Sequence, residues 1–556
     1  MAADPKREFD YVVVGAGSAG CVVAARLAEQ ADGSVLLVEA GPSRHGIRID
    51  MPAAAYLACA DAAYSWRYDT VAQRGLAGRT DAITTGRTVG GSSAINSLCY
   101  LRGHAEDFDR WEQQGAAGWR FASVLPYFKR SETRRPEGDP VYRGRGGPLV
   151  VTKARPHGPL QEAFLAAGAS HPAGITEDPN GYRQEGFFAC DQTIDRGIRA
   201  SADRAFLRPV LRSKETASRL QILADGLVTG LRMEGARSAG ITVARDGREL
   251  DFMARREVIV CAGAIRSPHL LMLSGIGPAD HLRRHGIAVR ADLPAVGAHL
   301  QDHVATRLSW RSLRPVSHSR YMRPDRKALA GLRWLLTGGG IGGTTGLEVG
   351  AMLRSSEELA TPDLQFFLYP ALVEGMRPHP SAHGFGIGVN LNRCSSTGTV
   401  RLASADPRLP PRIDPCYLSE AEDIERLRRG VELARAIVRD KAFERYRGPE
   451  FGESAPSSGD FAAWARRSVA GNWHPAGTCR MGAPDDGVTR PDGRVHGVDG
   501  LRVVDASLMP SITNANLNAP VIMMAERISD MICGRPLPAD EPAPFHVHGP
   551  RRAAAP

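Results

Sequence analysis

The sequence lacks long apolar runs and disulfide-type cysteine spacing, and each absence excludes a class of protein. No segment of the 556 residues approaches the run of about 18 apolar residues that a membrane-spanning helix needs. Residues 1–8 contain no apolar signal region, so no export signal is expected. The nine cysteines are scattered, odd in number and without C-x-x-C spacing. This usage is typical of reduced thiols and predicts a cytoplasmic protein.

Signatures of several enzyme and binding classes are also missing. There is no G-x-S-x-G elbow and no H-E-x-x-H motif, so neither a hydrolase nor a zinc protease is indicated, and no metal site is predicted. No nucleic-acid-binding module is visible, and no nucleic-acid partner is expected. Hydrophobic residues make up 43% of the chain and charged residues 24%, as in ordinary globular proteins. The length predicts two or three domains.

The chain has a formal net charge of +9, and one segment is locally basic. Residues 311–333 contain seven Lys or Arg and one acid, Asp325. The favoured interpretation is a solvated loop and helix near the substrate entrance. The alternative is weak peripheral contact with the inner face of a membrane, because a basic, partly amphipathic segment can lie on an anionic surface. The apolar side chains that suggest it are Tyr321, Met322, Leu329, Leu332, Trp334, Leu335 and Leu336.

The beginning of the chain has the pattern of a βαβ unit. Residues 9–14 form a short apolar run that predicts a buried parallel strand. Residues 18–30 have Ala, Val and Leu at helical spacing, and residues 35–39 predict the next strand. A strand, a helix and a second strand within this length are typical of a nucleotide-binding unit.

The turn between the first strand and the helix has the G-x-G-x-x-G spacing of Gly15, Gly17 and Gly20. Its glycines permit a tight turn and the close approach of a pyrophosphate to the helix N-terminus, where free N–H groups point outward. Glu39 lies 19 residues past Gly20, at the end of the second strand, where an acid can accept from ribose hydroxyls. Glu39 also disfavours a 2′-phosphate, so NADP is not expected.

A second loop of small residues, GRTVGGSSAIN at residues 86–96, follows downstream. A nicotinamide enzyme has no use for another Gly/Ser loop at this point, whereas a flavin needs backbone pressed against its ring. The order of the two loops therefore indicates a flavin dinucleotide.

Five ordered segments resemble the glucose–methanol–choline (GMC) oxidoreductases. Together they extend over roughly residues 8 to 535, and the nearest likeness is to choline-dehydrogenase-like and bacterial alcohol-dehydrogenase-like members. The segments span residues 86–103, 263–277, 296–303, 472–482 and 503–507.

The resemblance implies FAD as the cofactor. Some members of the family attach flavin covalently through a histidine in the 86–96 loop, and Ile95 stands at the matching position, so dissociable FAD is predicted. Adenine and ribose are expected near Glu39 and the backbone of Val228, with the loop of residues 89–97 along the isoalloxazine. The expected FAD-binding residues are Gly15, Gly17, Ser18, Ala19, Gly20, Glu39, Ala40, Val89, Gly90, Gly91, Asn96, Ser97, Val228, Asp505 and Ala506.

The resemblance also implies the catalytic residues. The family's active-site histidine corresponds to His474, and a neutral imidazole is suited to removing an alcohol proton. The family has a second His or Asn beside it, and the matching residue is Asn518, whose amide can hydrogen-bond the substrate oxygen. Asn514 and Asn516 are expected to make loop hydrogen bonds only. Cys479 is expected to be a packed, buried thiol and not a nucleophile.

The predicted fold class is α/β, with a Rossmann-like FAD-binding domain built from discontinuous pieces. This architecture follows from the family resemblance. A second, substrate-binding domain is expected to be an antiparallel sheet covered by helices. The FAD domain is assigned residues 1–155, 200–305 and 490–536, the substrate domain residues 156–199 and 306–489, and a disordered tail residues 537–556.

The predicted reaction is oxidation of a primary or secondary alcohol to the aldehyde or ketone. The partners are a small-molecule alcohol and an electron acceptor, which is oxygen or a quinone- or dye-type compound. Choline would need an acidic or aromatic box; Glu348, Tyr369 and Glu374 could contribute, but they form no recognisable box. Two alternatives are a flavin-containing lyase of the hydroxynitrile-lyase type and an inactive relative with the same fold.

Overall fold

The computed structural model describes residues 7–374, 377–453, 455–456 and 460–549. Two seven-stranded sheets organise these residues, and strands and helices are numbered in chain order. In spatial order, the first sheet consists of β11 (Leu220–Leu223), β2 (Val35–Val38), β1 (Glu8–Val14), β14 (Arg248–Val260), β13 (Arg237–Arg245) and β12 (Leu227–Glu234), with β27 (Leu501–Val503) also paired to β14.

The first sheet is parallel where the cofactor is expected and antiparallel at one side. β1 pairs in parallel with β2 and β14, and β14 pairs in parallel with β27. Strands of a parallel sheet are buried on both faces, and all four residues of β2 (VLLV) are buried accordingly. β12 and β13 form an antiparallel hairpin that continues onto β14. The Rossmann-like sheet implied by the family resemblance is confirmed, and the two strands of the predicted βαβ unit pair in parallel within it.

The second sheet is antiparallel throughout and carries its own apolar core. Helices pack on it, as expected for the substrate domain. In spatial order, its strands are β25 (Arg447–Glu450), β17 (Val304–Ser312), β22 (Gly384–Leu391), β19 (Leu364–Tyr369), β18 (Val349–Leu353) and β7 (Gly186–Ala189), with β26 (Ala470–Gly471) also paired to β17.

The remaining strands form small sheets of two or three strands. They are β3 (Ser65–Asp69) with β4 (Ala82–Gly86); β5 (Glu132–Arg135) and β6 (Leu149–Lys153) with β8 (Asp191–Gln192); β9 (Ile194–Asp195) with β10 (Ile198–Arg199); β15 (Ile276–Gly277) with β16 (Ala291–Asp292); β20 (Val373–Glu374) with β21 (Arg377–Pro378); and β23 (Thr399–Arg401) with β24 (Arg412–Asp414).

The helices cover the two sheets. Within the described residues, none combines the length and the apolar character needed to cross a membrane. They are α1 (Ser18–Gln30), α2 (Ile47–Asp50), α3 (Ala55–Ala60), α4 (Ala105–Gln113), α5 (Phe121–Ser131), α6 (Pro159–Ser170), α7 (Arg208–Arg212), α8 (Lys214–Ala217), α9 (Gly263–Leu273), α10 (Ala279–Arg284), α11 (Pro324–Thr337), α12 (Ala421–Arg439), α13 (Phe461–Ser468) and α14 (Asn518–Ile532).

The two apolar cores differ from the predicted division of the chain in several places: for example, Leu76 and Val304 pack in the second core and Leu402 packs in the first. Ala476, Cys479, Met481 and Val488 were assigned to the substrate domain by the boundary at residue 490, but their side chains pack in the core of the first sheet. The backbone accounts for this packing, because Cys479 and Met481 donate their N–H groups to the carbonyls of Ser507 and Leu508. The boundaries of the domains stay a prediction.

Residues 537–549 have no regular secondary structure but lie along the folded body. The N–H of Glu541 donates to the carbonyl of Ala122, and the Tyr142 hydroxyl donates to the carbonyl of Pro544. The Phe545 ring meets the Phe121 ring edge-on at 5.9 Å. These contacts differ from the disordered tail predicted from Pro/Ala composition, because an aromatic anchor outweighs that composition. Residues 550–556 lie outside the described residues.

Candidate active site

A cavity of about 910 Å³ is lined by residues from both sheets. The first sheet contributes the end of β1, the dinucleotide turn and the start of α9. The second contributes β17, β19 and β22, among them Arg307, Tyr369 and Asn390. One space therefore joins the predicted dinucleotide site to the interior face of the predicted substrate domain.

The two glycine-rich loops touch each other at one end of this cavity. The N–H of Gly90 donates to the carbonyl of Ala16 over 2.7 Å. A Cβ atom on Gly91 would lie 2.5 Å from the Cα of Gly17, and one on Gly20 would lie 1.8 Å from the carbonyl oxygen of Gly15. Glycine is therefore required at Gly20 and Gly91 for the loops to pack this closely, as the approach of a pyrophosphate and a flavin ring demands.

Glu39 sits where β2 ends and organises the turn. One carboxylate oxygen accepts the N–H of Ala16 at 3.0 Å and the other accepts that of Gly41 at 2.9 Å. Burial raises the pKa of Glu39 to about 7, whereas the backbone N–H donors oppose the rise. Each oxygen has a further lone pair, so the carboxylate can still accept from ribose hydroxyls at the cavity wall.

Arg199, which was not predicted, fixes the loop of residues 86–96 through hydrogen bonds. Its guanidinium is buried and donates to the carbonyls of Ser93 (3.1 Å), Asn96 (2.7 Å) and Ile49 (2.9 Å), and to the side chain of Asn96 (2.9 Å). Burial lowers the pKa of Arg199 to about 10. No local signal reveals this role, because Arg199 lies about a hundred residues from the loop.

Asp505 ties the C-terminal part of the chain to the same end of the cavity. It accepts the N–H of Gly263 at 2.9 Å and the hydroxyl of Ser267 at 2.5 Å through one oxygen. Its other oxygen accepts the N–H of Ser507 at 2.8 Å, and burial raises its pKa. Asp505 therefore positions the start of α9 and the backbone of residue 506 at the cavity wall.

The structure brings most of the predicted FAD-binding residues to the cavity, and their arrangement fits FAD. Gly20, Val89 and Gly90 are exceptions, because they pack behind the wall and shape the two loops. The predicted residues that line the cavity are Gly15, Gly17, Ser18, Ala19, Glu39, Ala40, Gly91, Asn96, Ser97, Val228, Asp505 and Ala506, and the predicted catalytic residues His474 and Asn518 line it too.

His474 belongs to a hydrogen-bonded chain that determines which of its nitrogens carries the proton. Nε2 of His303 lies 3.0 Å from the carbonyl oxygen of Thr513, and a carbonyl can only accept. Nδ1 of neutral His303 is then an acceptor, and Nδ1 of His474 donates to it over 3.0 Å. Nε2 of His474 is consequently unprotonated and carries a lone pair, which is what a base requires.

The surroundings of His474 keep it neutral and fixed. Burial lowers the pKa of His474 to about 4, and burial lowers the pKa of His303 well below its usual range. The backbone N–H of His474 donates to Asp302 at 2.7 Å. Trp473, which has a left-handed backbone (φ +59°), donates its indole N–H to the carbonyl of Ala82 at 2.7 Å.

Asn516, and not Asn518, lies beside His474. Nδ2 of Asn516 is 3.4 Å from Nε2 of His474. Gln365 donates to Oδ1 of Asn516 at 3.2 Å, which turns the NH₂ group toward the histidine. Oδ1 of Asn518 instead accepts the hydroxyl of Ser18 at 2.7 Å, where α14 and α1 begin. The expectation that Asn516 serves only loop hydrogen bonding does not match this geometry.

The expectations for Asn514, as a loop hydrogen-bonding residue, and for Cys479, as a packed thiol, agree with the structure. Asn514 is buried, and its NH₂ donates to Gln184 and to the carbonyl of Pro362. Cys479 is fully buried in the first core, and burial raises the pKa of its thiol well above the usual range. His303 lies in the segment 296–303 that resembles the family, but its link to His474 depends on tertiary folding.

Comparison with known proteins gives matches over nearly the whole chain. Two family models described as GMC oxidoreductase match residues 9–305 and 394–525. The oxygen-dependent choline dehydrogenase of Rhizobium johnstonii is 43% identical, with 95% of this chain and 96% of the relative covered. The human mitochondrial choline dehydrogenase is 42% identical, with 99% and 94% covered. The crystal structure of pyridoxine 4-oxidase from Mesorbium loti superimposes with a TM-score of 0.85 at 31% identity, covering 95% of this chain and 99% of that one.

Proposed function

The chain belongs to the GMC oxidoreductase family, and on that basis we propose that it oxidises an uncharged alcohol with His474 as base and Asn516 as donor to the substrate oxygen. It is an FAD-dependent oxidoreductase acting on CH–OH donors. The observation that carries the residue assignment is the approach of Asn516 Nδ2 to His474 Nε2, 3.4 Å apart, in the cavity that the dinucleotide turn also lines.

His474 removes the proton that the reaction leaves behind. Bound FAD supplies the acceptor for the hydride from the alcohol carbon. The hydroxyl proton passes to the lone pair on Nε2 of His474, and the oxygen keeps the electron pair that becomes part of the carbonyl bond. The NH₂ group of Asn516 donates to that oxygen as negative charge develops on it. Asn516 has no proton-accepting nitrogen, so it does not compete for the proton.

The anaerobic visible spectrum of the purified protein tests this function. We expect a yellow flavin spectrum that bleaches when one member of a panel of simple alcohols is added. The panel should include aliphatic, aromatic, polyol and pyridoxine-like alcohols. A yellow spectrum that no alcohol bleaches would favour the lyase or an inactive relative. A colourless protein that cannot be reconstituted with FAD would contradict the proposal.

We further propose that FAD is held without a covalent bond. Residues 86–97 contain no histidine, cysteine or tyrosine that could attach it. The family resemblance puts Ile95 at the position where some members have the linking histidine. Acid precipitation should release the yellow colour into the supernatant.

We propose oxygen or a quinone-type compound as the final electron acceptor. Re-oxidation of the reduced protein with air-saturated buffer or with a soluble quinone would distinguish between the two acceptors.

His303 is proposed as a positioning residue that sets the tautomer of His474. His303→Leu removes the acceptor for the Nδ1 proton, so His474 can hold its proton on Nε2 and lose its lone pair toward the substrate. We expect a limiting rate of flavin reduction about 10²-fold lower, in line with general-base contributions, with the apparent alcohol dissociation constant unchanged. The measurement is anaerobic stopped-flow reduction at several alcohol concentrations.

His303→Asn is the matched control for this role. Its amide oxygen can accept the Nδ1 proton of His474, so most of the rate should return. A purely structural role would affect both variants alike and would change flavin content or thermal stability. Equal loss in His303→Leu and His303→Asn would contradict the tautomer assignment.

The charges along the cavity support an uncharged substrate and not choline. The carboxylates among its described lining residues are Glu39 and Asp505, and both are bound to backbone N–H groups at the dinucleotide end. On the substrate side, the Arg307 guanidinium lies 5.5 Å from the centre of the Tyr369 ring. A quaternary ammonium would therefore compete with Arg307 for this ring. Glu348 accepts from Gln161 and Gly346 and does not line the cavity, and the side chain of Glu374 lies outside the described residues.

Choline and its neutral analogue 3,3-dimethylbutan-1-ol have the same shape and differ in one positive charge. We expect kcat/KM to be at least about tenfold higher for the neutral alcohol, which corresponds to about 1.4 kcal/mol. The measurement is steady-state turnover with an artificial dye as acceptor. A preference for choline would contradict the substrate proposal without affecting the assignment of His474.

A further inference from the structure

Helix α11 (Pro324–Thr337) exposes an apolar face to solvent. Leu329, Leu332, Leu335 and Leu336 have 66%, 53%, 63% and 76% of their surface exposed. Positions 329, 332 and 336 follow the i, i+3, i+7 spacing, and position 335 adjoins them, so the four side chains share one side of the helix. Exposed apolar side chains scattered singly are ordinary, but four on one helix face mark an interaction surface.

The helix is attached to the body by its opposite side. Trp334 is its one buried residue, and the indole N–H of Trp334 donates to the carbonyl of Gly197 at 2.7 Å. Gly342, just after the helix, packs so closely on Trp334 that a Cβ there would lie 2.7 Å from the Trp334 Cβ. Trp334 therefore fixes the helix in an orientation that leaves the four leucines facing solvent.

Positive charge borders the leucine face. Arg326 and Arg333 are exposed, lie seven residues apart, and fall on the helix side next to Leu329 and Leu336. The whole segment 311–333 has seven Lys or Arg against Asp325 alone. A leucine face bordered by arginines is the pattern of a helix that lies in the boundary between lipid headgroups and acyl chains.

We propose that α11 docks the protein on an anionic lipid surface, with the leucines in the apolar boundary and the arginines against the headgroups. The charge distribution argues for lipid and against a second copy of this chain. An isologous pair would bring the same basic segments together, and like charges in an interface cost several kcal/mol. The position also fits, because Tyr321 and Met322 before the helix and Ile341 after it line the active-site cavity. Docking through α11 therefore brings the cavity close to the membrane surface.

Co-sedimentation of the FAD-loaded, full-length protein with lipid vesicles tests the proposal. We expect binding to phosphatidylcholine vesicles that contain about 30% phosphatidylglycerol, little binding to pure phosphatidylcholine, and release at high salt. Changing all four leucines (L329S, L332S, L335S and L336S) should lower the vesicle-bound fraction at least about tenfold. R326Q with R333Q should lower it on anionic vesicles only.

The matched control changes two exposed leucines elsewhere. Leu211 and Leu409 are 42% and 49% exposed, and L211S with L409S should bind vesicles like the wild type. All variants should keep the flavin spectrum, the melting temperature and the alcohol oxidation rate without vesicles. Vesicle binding that is absent in the wild type, or equal in the leucine variant, would overturn the proposal. So would a concentration-dependent dimer that disappears in the leucine variant while vesicles are not bound.

Discussion

His474→Ala should slow the reduction of bound FAD by its best alcohol about 10³-fold, within the range that a general base contributes. Alanine cannot accept the hydroxyl proton. The imidazole of His303 cannot accept the proton instead, because its Nε2 faces the carbonyl of Thr513 and its Nδ1 faces the position of the removed His474 ring. FAD should remain bound, since the dinucleotide turn and Glu39 do not contact His474. Anaerobic stopped-flow bleaching gives the rate, and the visible spectrum gives the flavin content.

The pH dependence of the wild-type rate should have the sign expected for a neutral base. Burial lowers the pKa of His474 to about 4, so the imidazole is unprotonated and competent at neutral pH. The rate of flavin reduction should fall as the pH drops through about 4, where protonation removes the lone pair. His474→Ala should lack this acid limb.

His299→Ala is the matched control for this variant. The side chain of His299 is 40% exposed and lies 4.0 Å from Asp486, outside the cavity lining. Its reduction rate should stay within about twofold of the wild type. If His474→Ala kept more than about a tenth of the wild-type rate, the proton would have to leave by another route and the assignment of the base would be wrong.

The sequence alone predicts those parts of the molecule whose structure depends on one short, local pattern of residues. Strand, glycine turn, helix and acid follow one another within residues 9–39, and part of the glycine packing is also local, although Gly15 itself packs against the carbonyl of Cys261. The close packing of Gly20 on Gly15 is an example of this local packing. For this reason the dinucleotide-binding turn could be predicted from the residues themselves, whereas the FAD domain and most of its predicted binding residues were implied by the family resemblance.

The amide that we propose as catalytic could not be selected in the same way. Asn514, Asn516 and Asn518 lie within five residues, and all three are chemically able to donate to an oxygen. Their roles are decided by partners far away in sequence: Gln184 for Asn514, Gln365 for Asn516 and Ser18 for Asn518. The tautomer of His474 likewise depends on Thr513 and His303, which the chain brings together only on folding.

Asn516→Ala should lower the rate of flavin reduction about 10²-fold, because removing one preorganised donor to a developing oxyanion typically costs at least that much. The loss should appear in the limiting rate more than in the alcohol dissociation constant, since the hydrogen bond strengthens as charge builds on the oxygen. Asn516→His should recover part of the rate, because an imidazole N–H can donate from the same position. The measurement is the same anaerobic stopped-flow assay.

Asn518→Ala provides the internal comparison two residues away. It deprives the Ser18 hydroxyl of its acceptor, so we expect a free energy of unfolding lower by about 1 kcal/mol and a small loss of FAD affinity. Its rate of reduction with saturating FAD should stay within a few-fold of the wild type, because its oxygen faces Ser18 and its NH₂ group is not the one that approaches His474. The reverse outcome, a large loss in Asn518→Ala and a small one in Asn516→Ala, would return the catalytic role to Asn518. It would also mean that the region around residues 514–518 rearranges when FAD and alcohol bind.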